Sequence, residues 1–168
     1  VSLDLWHWQD GSLQTMQAKR GNPTQPTRSA VYHMDAKVAV MLGDERAPRV
    51  SLLSDDGTLG LLADSKPYEM RETWDARYSD FYVVNTMDGA RKRIIEGLRG
   101  YASRSTTGRY VIWFDHRDYH WHTYDVASGE TRNLTKGMPV GFDREYEDRP
   151  EPHKAYGSAG WTEGDAEV

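Results

Sequence analysis

The densest run of chemically capable side chains is Asp115-His116-Arg117-Asp118-Tyr119-His120-Trp121-His122. On a strand, alternation sets His120 and His122 on one face with Asp118 near the adjoining turn, and these are the donor types of a metal centre. Spacing anchors no third ligand elsewhere, so the stretch is read as a polar hairpin loop followed by a paired strand, with no metal assigned. A second set of carboxylates, Asp143, Glu145, Glu147, Asp148 and Glu151, joins Asp44, Glu45, Asp55 and Asp56 as candidates for calcium or general acid–base work. A calcium loop alternates its ligands around a glycine at its sharp turn. Residues 143–151 hold no glycine and two arginines, which makes them a mobile, solvated connection. No catalytic residue and no cofactor is assigned.

The six tryptophans, Trp6, Trp8, Trp74, Trp113, Trp121 and Trp161, could line a sugar- or peptide-binding face. One ring per strand at regular spacing more simply fills the core between sheets. Trp74 is the exception. It lies in the connection Arg71-Glu72-Thr73-Trp74-Asp75-Ala76-Arg77, outside any regular strand, and is expected to be exposed or to meet a partner. The basic run Arg91-Lys92-Arg93 reads as the solvated face of a strand.

Global composition narrows the classes further. Twenty-one Lys and Arg against 26 Asp and Glu leave a net charge of −5, which argues against a nucleic-acid module. Without cysteine, disulfides, thiolate metal sites and cysteine nucleophiles are excluded, while an exported and a cytoplasmic location both stay open. Unbroken apolar stretches reach five residues, as at Val38 to Leu42, so none is long enough for a membrane-spanning helix.

The elements that must position these residues are strands. Short runs rich in Val, Tyr, Trp, Thr and Ile alternate with Gly, Asp, Asn and Ser, the pattern of strands joined by tight turns. The window Gly89 to Leu98 fits a short helix or a strand equally well. Repetition is the stronger signal. Ser54-Asp55-Asp56-Gly57-Thr58-Leu59-Gly60-Leu61-Leu62 parallels Ser105-Thr106-Thr107-Gly108-Arg109-Tyr110-Val111-Ile112-Trp113. Trp161-Thr162-Glu163-Gly164-Asp165-Ala166-Glu167-Val168 enters the same register, as a turn followed by an opening strand. Gly57 to Gly108 is 51 residues and Gly108 to Gly164 is 56. A second repeat, 40 residues apart, ends in Asp88-Gly89 and Ser128-Gly129. One unit is thus two hairpins, four strands in about 50 residues, the content of a β-propeller blade.

The fold expected is all-β: antiparallel four-stranded blades of an open partial propeller, two complete and two partial. Approximate units are 1–49, 50–98, 99–140 and 157–168, with a loop at 141–156. The first unit is expected to hold hairpins at Leu3 to Met16, turning at Asp10-Gly11, and at Ala30 to Leu42, turning at Asp35-Ala36. The chain reads as an excised piece of something longer. Its open blade edges are expected to drive self-association.

Several of these stretches resemble a known family. Asp4-Leu5-Trp6-His7-Trp8-Gln9-Asp10, Gln14-Thr15-Met16-Gln17 and Ala30-Val31-Tyr32-His33-Met34 are similar to the N-terminal propeller of bacterial prolyl oligopeptidase-type (S9 family) serine peptidases. So are Arg99-Gly100-Tyr101-Ala102 before Gly108 to Asp115, His120 to Asp125, Thr131-Arg132-Asn133-Leu134-Thr135, and Tyr156-Gly157-Ser158-Ala159-Gly160-Trp161-Thr162. The resemblance implies a non-catalytic domain that caps an α/β-hydrolase domain bearing a Ser-Asp-His triad and limits access to short peptides. That hydrolase domain would be its partner. No Gly-x-Ser-x-Gly elbow occurs in this chain; Gly157-Ser158-Ala159-Gly160 has the wrong spacing, so no family catalytic position transfers. The Asn-Leu-Thr and Ser-x-x-Gly elements also occur in Tol-type propellers. A stand-alone Tol-like or WD-repeat-like interaction module is therefore the alternative.

Overall fold

The computed structural model describes residues 7–11, 13–20, 27–146 and 151–168. Among the described residues, ten strands make up most of the regular secondary structure. A first hairpin pairs β1 (Ala30–His33) with β2 (Val38–Met41). Next comes a four-stranded antiparallel meander of β3 (Val50–Leu52), β4 (Leu59–Asp64), β5 (Tyr78–Asn85) and β6 (Arg91–Arg99). A second meander of the same order follows, with β7 (Ala102–Arg104), β8 (Tyr110–Asp115), β9 (His120–Asp125) and β10 (Thr131–Asn133). The window left open between helix and strand is β6: Ile94 and Ile95 are β-branched, and Ile95 is buried between the sheets.

The three sheets lie in layers. Leu53, Phe81, Val83, Ile95 and Leu98 of the first meander pack against Val111, Trp113 and Tyr124 of the second. On the other face, Leu62 and Val84 join Leu42 and Ala47, with Val31 and Val40 of the first hairpin packed against them. Strand β5 therefore feeds both cores, Phe81 and Val83 one way and Val84 the other. Its run Phe81-Tyr82-Val83-Val84 lacks a polar alternate, as a strand covered on both faces should. Arg91 fastens the first hairpin to β6, donating to Asp44 Oδ2 at 2.6 Å and to the Leu42 carbonyl at 2.7 Å.

Three hairpins share one loop geometry, and a fourth shares its positive-φ position. In Asn85–Ala90, Asp115–His120 and Asp125–Glu130, the fifth residue's N–H donates to the first residue's carbonyl at 2.8 Å. The first residue's side-chain oxygen accepts the third residue's N–H at 2.8 to 2.9 Å. The fifth residue has positive φ: Gly89 (75°), Tyr119 (59°) and Gly129 (73°). Lys37 (54°) stands at the same position between His33 and Val38.

Elsewhere the expectations need correction. The expected hairpin from Leu3 to Met16 falls partly on residues 3–6 and 12, outside the described set. Within it, Gln14–Arg20 is a helix, α1, and the turn spans His7 to Asp10, whose N–H donates to the His7 carbonyl at 2.9 Å. Gln, Met, Ala, Lys and Arg are strong helix formers and only Thr15 is β-branched, so local propensity prevails over the Asp-Gly signal. The segment Trp161–Val168 makes its turn, with a 3-10 turn at Glu163–Asp165, but no strand follows. The loop at 141–156 is tied rather than free. Asp143 bridges Ala155, Arg144 N–H donates to the Lys154 carbonyl at 2.8 Å, and the His153 ring meets Asp143 at 2.7 Å. The Arg99 guanidinium, whose side chain is 8% exposed, holds Glu151 and the Pro152 carbonyl. Glu147 and Asp148 lie outside the described residues.

Candidate functional site

Two places merit chemical scrutiny: the Asp115–His122 loop and the far face of the second meander. In the loop, ligand atoms of Asp115, Asp118 and His122 lie within 4.8 Å of one another. His120 does not join them. Its Nδ1 pairs with Thr135 Oγ1 at 2.9 Å, so the expected His120–His122 pair is split. Every oxygen in the trio already has a donor. Arg117 grips Asp115 through Nε at 2.8 Å and Nη2 at 2.6 Å, and His122 Nε2 sits 3.0 Å from Asp118. Asn133 Nδ2 adds a 3.4 Å contact to Asp118. Burial opposes ionisation of Asp115, yet the Arg117 hydrogen bonds outweigh it and hold its carboxyl below the usual range. The arrangement is a guanidinium-locked hairpin loop.

Beside it, burial pushes the His116 ring below its ordinary pKa. Asp115 at 3.8 Å opposes that shift, and Arg117, Arg99 and Arg71 add to it. The ring lies edge-on to Tyr78 at 5.6 Å. Its Nδ1 and Trp113 Nε1 are buried with no hydrogen-bond partner among the described residues.

The second place is built from a repeated turn. Ser105 N–H donates to the Tyr110 carbonyl (2.8 Å), Tyr110 N–H to Ser105 Oγ (3.0 Å), and Gly108 N–H to the Ser105 carbonyl (3.1 Å). At Ser54 the same bonds recur: Leu59 N–H donates to Ser54 Oγ (3.1 Å) and Gly57 N–H to the Ser54 carbonyl (3.1 Å). They recur again at Thr162. Its N–H donates to the Glu167 carbonyl (3.0 Å), Glu167 N–H to Thr162 Oγ1 (2.9 Å), and Asp165 N–H to the Thr162 carbonyl (3.1 Å). The counterpart of Gly57 (φ 74°) and Gly108 (φ 80°) is therefore Asp165 (φ 58°), not the expected Gly164.

Each turn rests on the one before it. A Cβ on Gly108 would stand 1.9 Å from the Leu53 carbonyl oxygen, and Arg104 Nη1 donates to that oxygen and to Asp55 at 3.0 Å each. One turn later, the Asp165 carboxylate accepts Ser105 Oγ–H at 2.6 Å, Thr107 N–H at 3.1 Å and the Thr107 hydroxyl. Asp165 is 6% exposed. Burial raises its pKa, but the hydrogen bonds from Ser105 and Thr107 overcome this and hold the carboxyl below its usual range.

That clasp fixes the segment 157–168 across the far face of β8, β9 and β10, leaving a groove of about 640 Å³. Ile112, Trp121, Leu134 and Met138 line its apolar floor, and Trp161 stacks on Tyr110 at 5.6 Å with the rings 5° from parallel. Aligning the repeats on glycine hides this clasp. Aligning them on the hydroxyl residues Ser54, Ser105 and Thr162 finds it.

The remaining candidates disperse. Trp113 is core and Trp74 is 72% exposed, both as expected, whereas Trp8 is 68% exposed and fills no core; Trp6 lies outside the described residues. Asp44 caps its own loop through Arg46 and Ala47 N–H, Asp56 holds Ser54 and Thr58, and Asp55 pairs with Arg104. Of Arg91-Lys92-Arg93, Arg91 is spent on the first hairpin, and Arg93 pairs with Glu96 at 3.1 Å. Compared with known proteins, the chain matches no family model and no curated sequence.

Proposed function

We propose that the two meanders are consecutive blades of an open β-propeller, and that the domain is the non-catalytic cap of a prolyl oligopeptidase-type serine peptidase, restricting its active site to short peptides. The propeller reading is carried by one observation: three turns with the same bonds, each seated on its predecessor, beside sheets that share an apolar core. Equal units packed only on their neighbours are how such folds grow. The peptidase reading is supported by the residues quoted above, above all Trp6-His7-Trp8 and Gly157-Ser158-Ala159-Gly160-Trp161-Thr162.

A rigid cap of stacked sheets selects by size: an extended short peptide passes, a folded protein does not. Two experiments test this. The purified chain, given peptide and ester substrates, should show no turnover sensitive to serine-directed inhibitors; such turnover would refute the reading. Added in trans to a propeller-less hydrolase domain of this peptidase type, it should suppress cleavage of long substrates and spare short ones. Equal cleavage of both leaves the stand-alone interaction module, which the open apolar groove favours, as the better account.

A further inference from the structure

A half-buried imidazole joins the two meanders at the end where the β4–β5 connection meets the β8–β9 loop. His116 of that loop lies edge-on to Tyr78 of β5, with ring centroids 5.6 Å apart. Tyr78 is also held by the connection itself, residues 65–77. Arg71 covers the Tyr78 ring at 4.0 Å and donates through Nη2 to its hydroxyl at 3.1 Å. That hydroxyl in turn donates to Asp75 Oδ2 at 3.1 Å. The clasp seats a stretch, residues 70–75, that is exposed at every position and carries Trp74.

Charge around the imidazole balances only while the ring is neutral. The charged groups facing it are already matched: Arg71 of the connection with Asp75 at 2.8 Å, Arg99 of β6 with Glu151, and Arg117 of its own loop with Asp115 at 2.6 Å. The β5 strand supplies the neutral Tyr78. His116 Nδ1 is buried with no hydrogen-bond partner among the described residues. Asp115 Oδ1 stands 3.8 Å from it, too far for a hydrogen bond, and both Asp115 oxygens already accept from Arg117. A proton on His116 is therefore a fourth cation among three guanidinium groups, in a site stripped of much of its water.

We propose that His116 is an acid-sensitive latch on the β4–β5 connection. While neutral, it leaves Arg71 seated on Tyr78. Once protonated, it drives Arg71 off the ring, and the turn Arg71–Thr73 lifts with Trp74 while the sheets stay paired. The sign follows from the depressed pKa of the ring: the closed form is favoured above the ordinary 6.5 and loses ground as pH falls below it. The gain of the open form is limited to about tenfold at pH 5.5, the factor by which an ordinary imidazole is protonated there. The latch needs neither the propeller nor the peptidase reading.

The test is amide exchange on the isotope-labelled full chain, with the intrinsic pH dependence divided out and the imidazole shifts followed in the same samples. In the closed form the Trp74 and Asp75 N–H groups donate to the Arg71 carbonyl at 3.2 and 3.0 Å. From pH 7.5 to 5.5 their protection should fall by at least about threefold, in step with the His116 shifts, while Val83 and Val84 of β5 keep theirs. His116→Asn, which cannot take up the proton, should keep full protection at both pH values. Arg71→Gln, which removes the guanidinium of the clasp, should be equally loose at both. The proposal is overturned if protection at Trp74 and Asp75 stays constant in the unaltered chain, or if β5 loses protection by the same factor. It is equally overturned if His116→Asn shows the same fall, or if Arg71→Gln retains the full response.

Discussion

Asp165 combines three roles in one side chain: it occupies a left-handed backbone position, buries a carboxylate, and accepts donors from the neighbouring turn. Hydrogen bonds to charged groups contribute about 1.5–3 kcal/mol. Asp165→Asn keeps the shape but loses the charge, so a loss of about 2 kcal/mol in docking of the terminal segment is expected. Amide exchange at Thr107 would report it. Because the folded pKa of Asp165 is depressed, its contribution is present above the ordinary carboxyl pKa of 3.8 and is lost as pH falls through the lower folded value. His116 has the same sign in a different window. Its folded pKa also lies below the ordinary 6.5, so the unfolded chain takes up more proton on acidification, and stability declines as pH drops below about 6.5. His116→Asn should flatten that decline in urea titrations between pH 7.5 and 5.5; an equally steep decline in the variant would contradict the assignment. None of this is legible in the sequence. The partners of Asp165 are 58 and 60 residues distant, and His116 sits in a run whose obvious reading is a metal loop.

At the scale of elements, the strands and their glycine turns are legible because β-branched and aromatic runs bounded by Gly, Asp and Ser have a local cause. What escapes is the same geometry built without glycine. Lys37 and Tyr119 hold positive φ in loops that match Gly89 and Gly129, and Asp165 does so in a turn that matches Gly57 and Gly108. Left-handed backbone costs a residue with a Cβ about 1–2 kcal/mol. Lys37→Gly should therefore raise stability by about 1 kcal/mol, visible as a higher midpoint in denaturant. The stacked turns predict an asymmetry between equivalent glycines. Gly57→Ala meets only the left-handed backbone cost, about 1 kcal/mol, since nothing lies within 4 Å of its Cβ. Gly108→Ala adds a collision with the Leu53 carbonyl and should cost at least about 2 kcal/mol more. Equal effects would mean that the turns do not touch. The α1 helix escapes for the converse reason: a loop-like Asp-Gly pair precedes residues whose own preference is helical.

Across the whole molecule, each layer depends on the one beside it, so stability should be graded rather than uniform. Strand β5, covered on both faces, is expected to show the slowest amide exchange, and the segment from Gly157 to Trp161 the fastest. Native-state hydrogen exchange that ranks these the other way would contradict the layered picture. The long outer strand β6 carries Arg91, Lys92, Arg93 and Glu96, charges that blunt an exposed edge. The stacking order itself is legible only as a spacing of about fifty residues; which faces meet depends on register, which composition does not encode.

The double burial of β5 also bears on biosynthesis. Phe81-Tyr82-Val83-Val84 leaves the ribosome with the first hairpin available to shield one side, but its other cover includes Val111, Trp113 and Tyr124, which are translated later. During that interval the nascent chain displays an uncharged, strand-prone tetrapeptide. That is the moment when a holdase chaperone, or a pause in elongation, would most affect the yield of native protein.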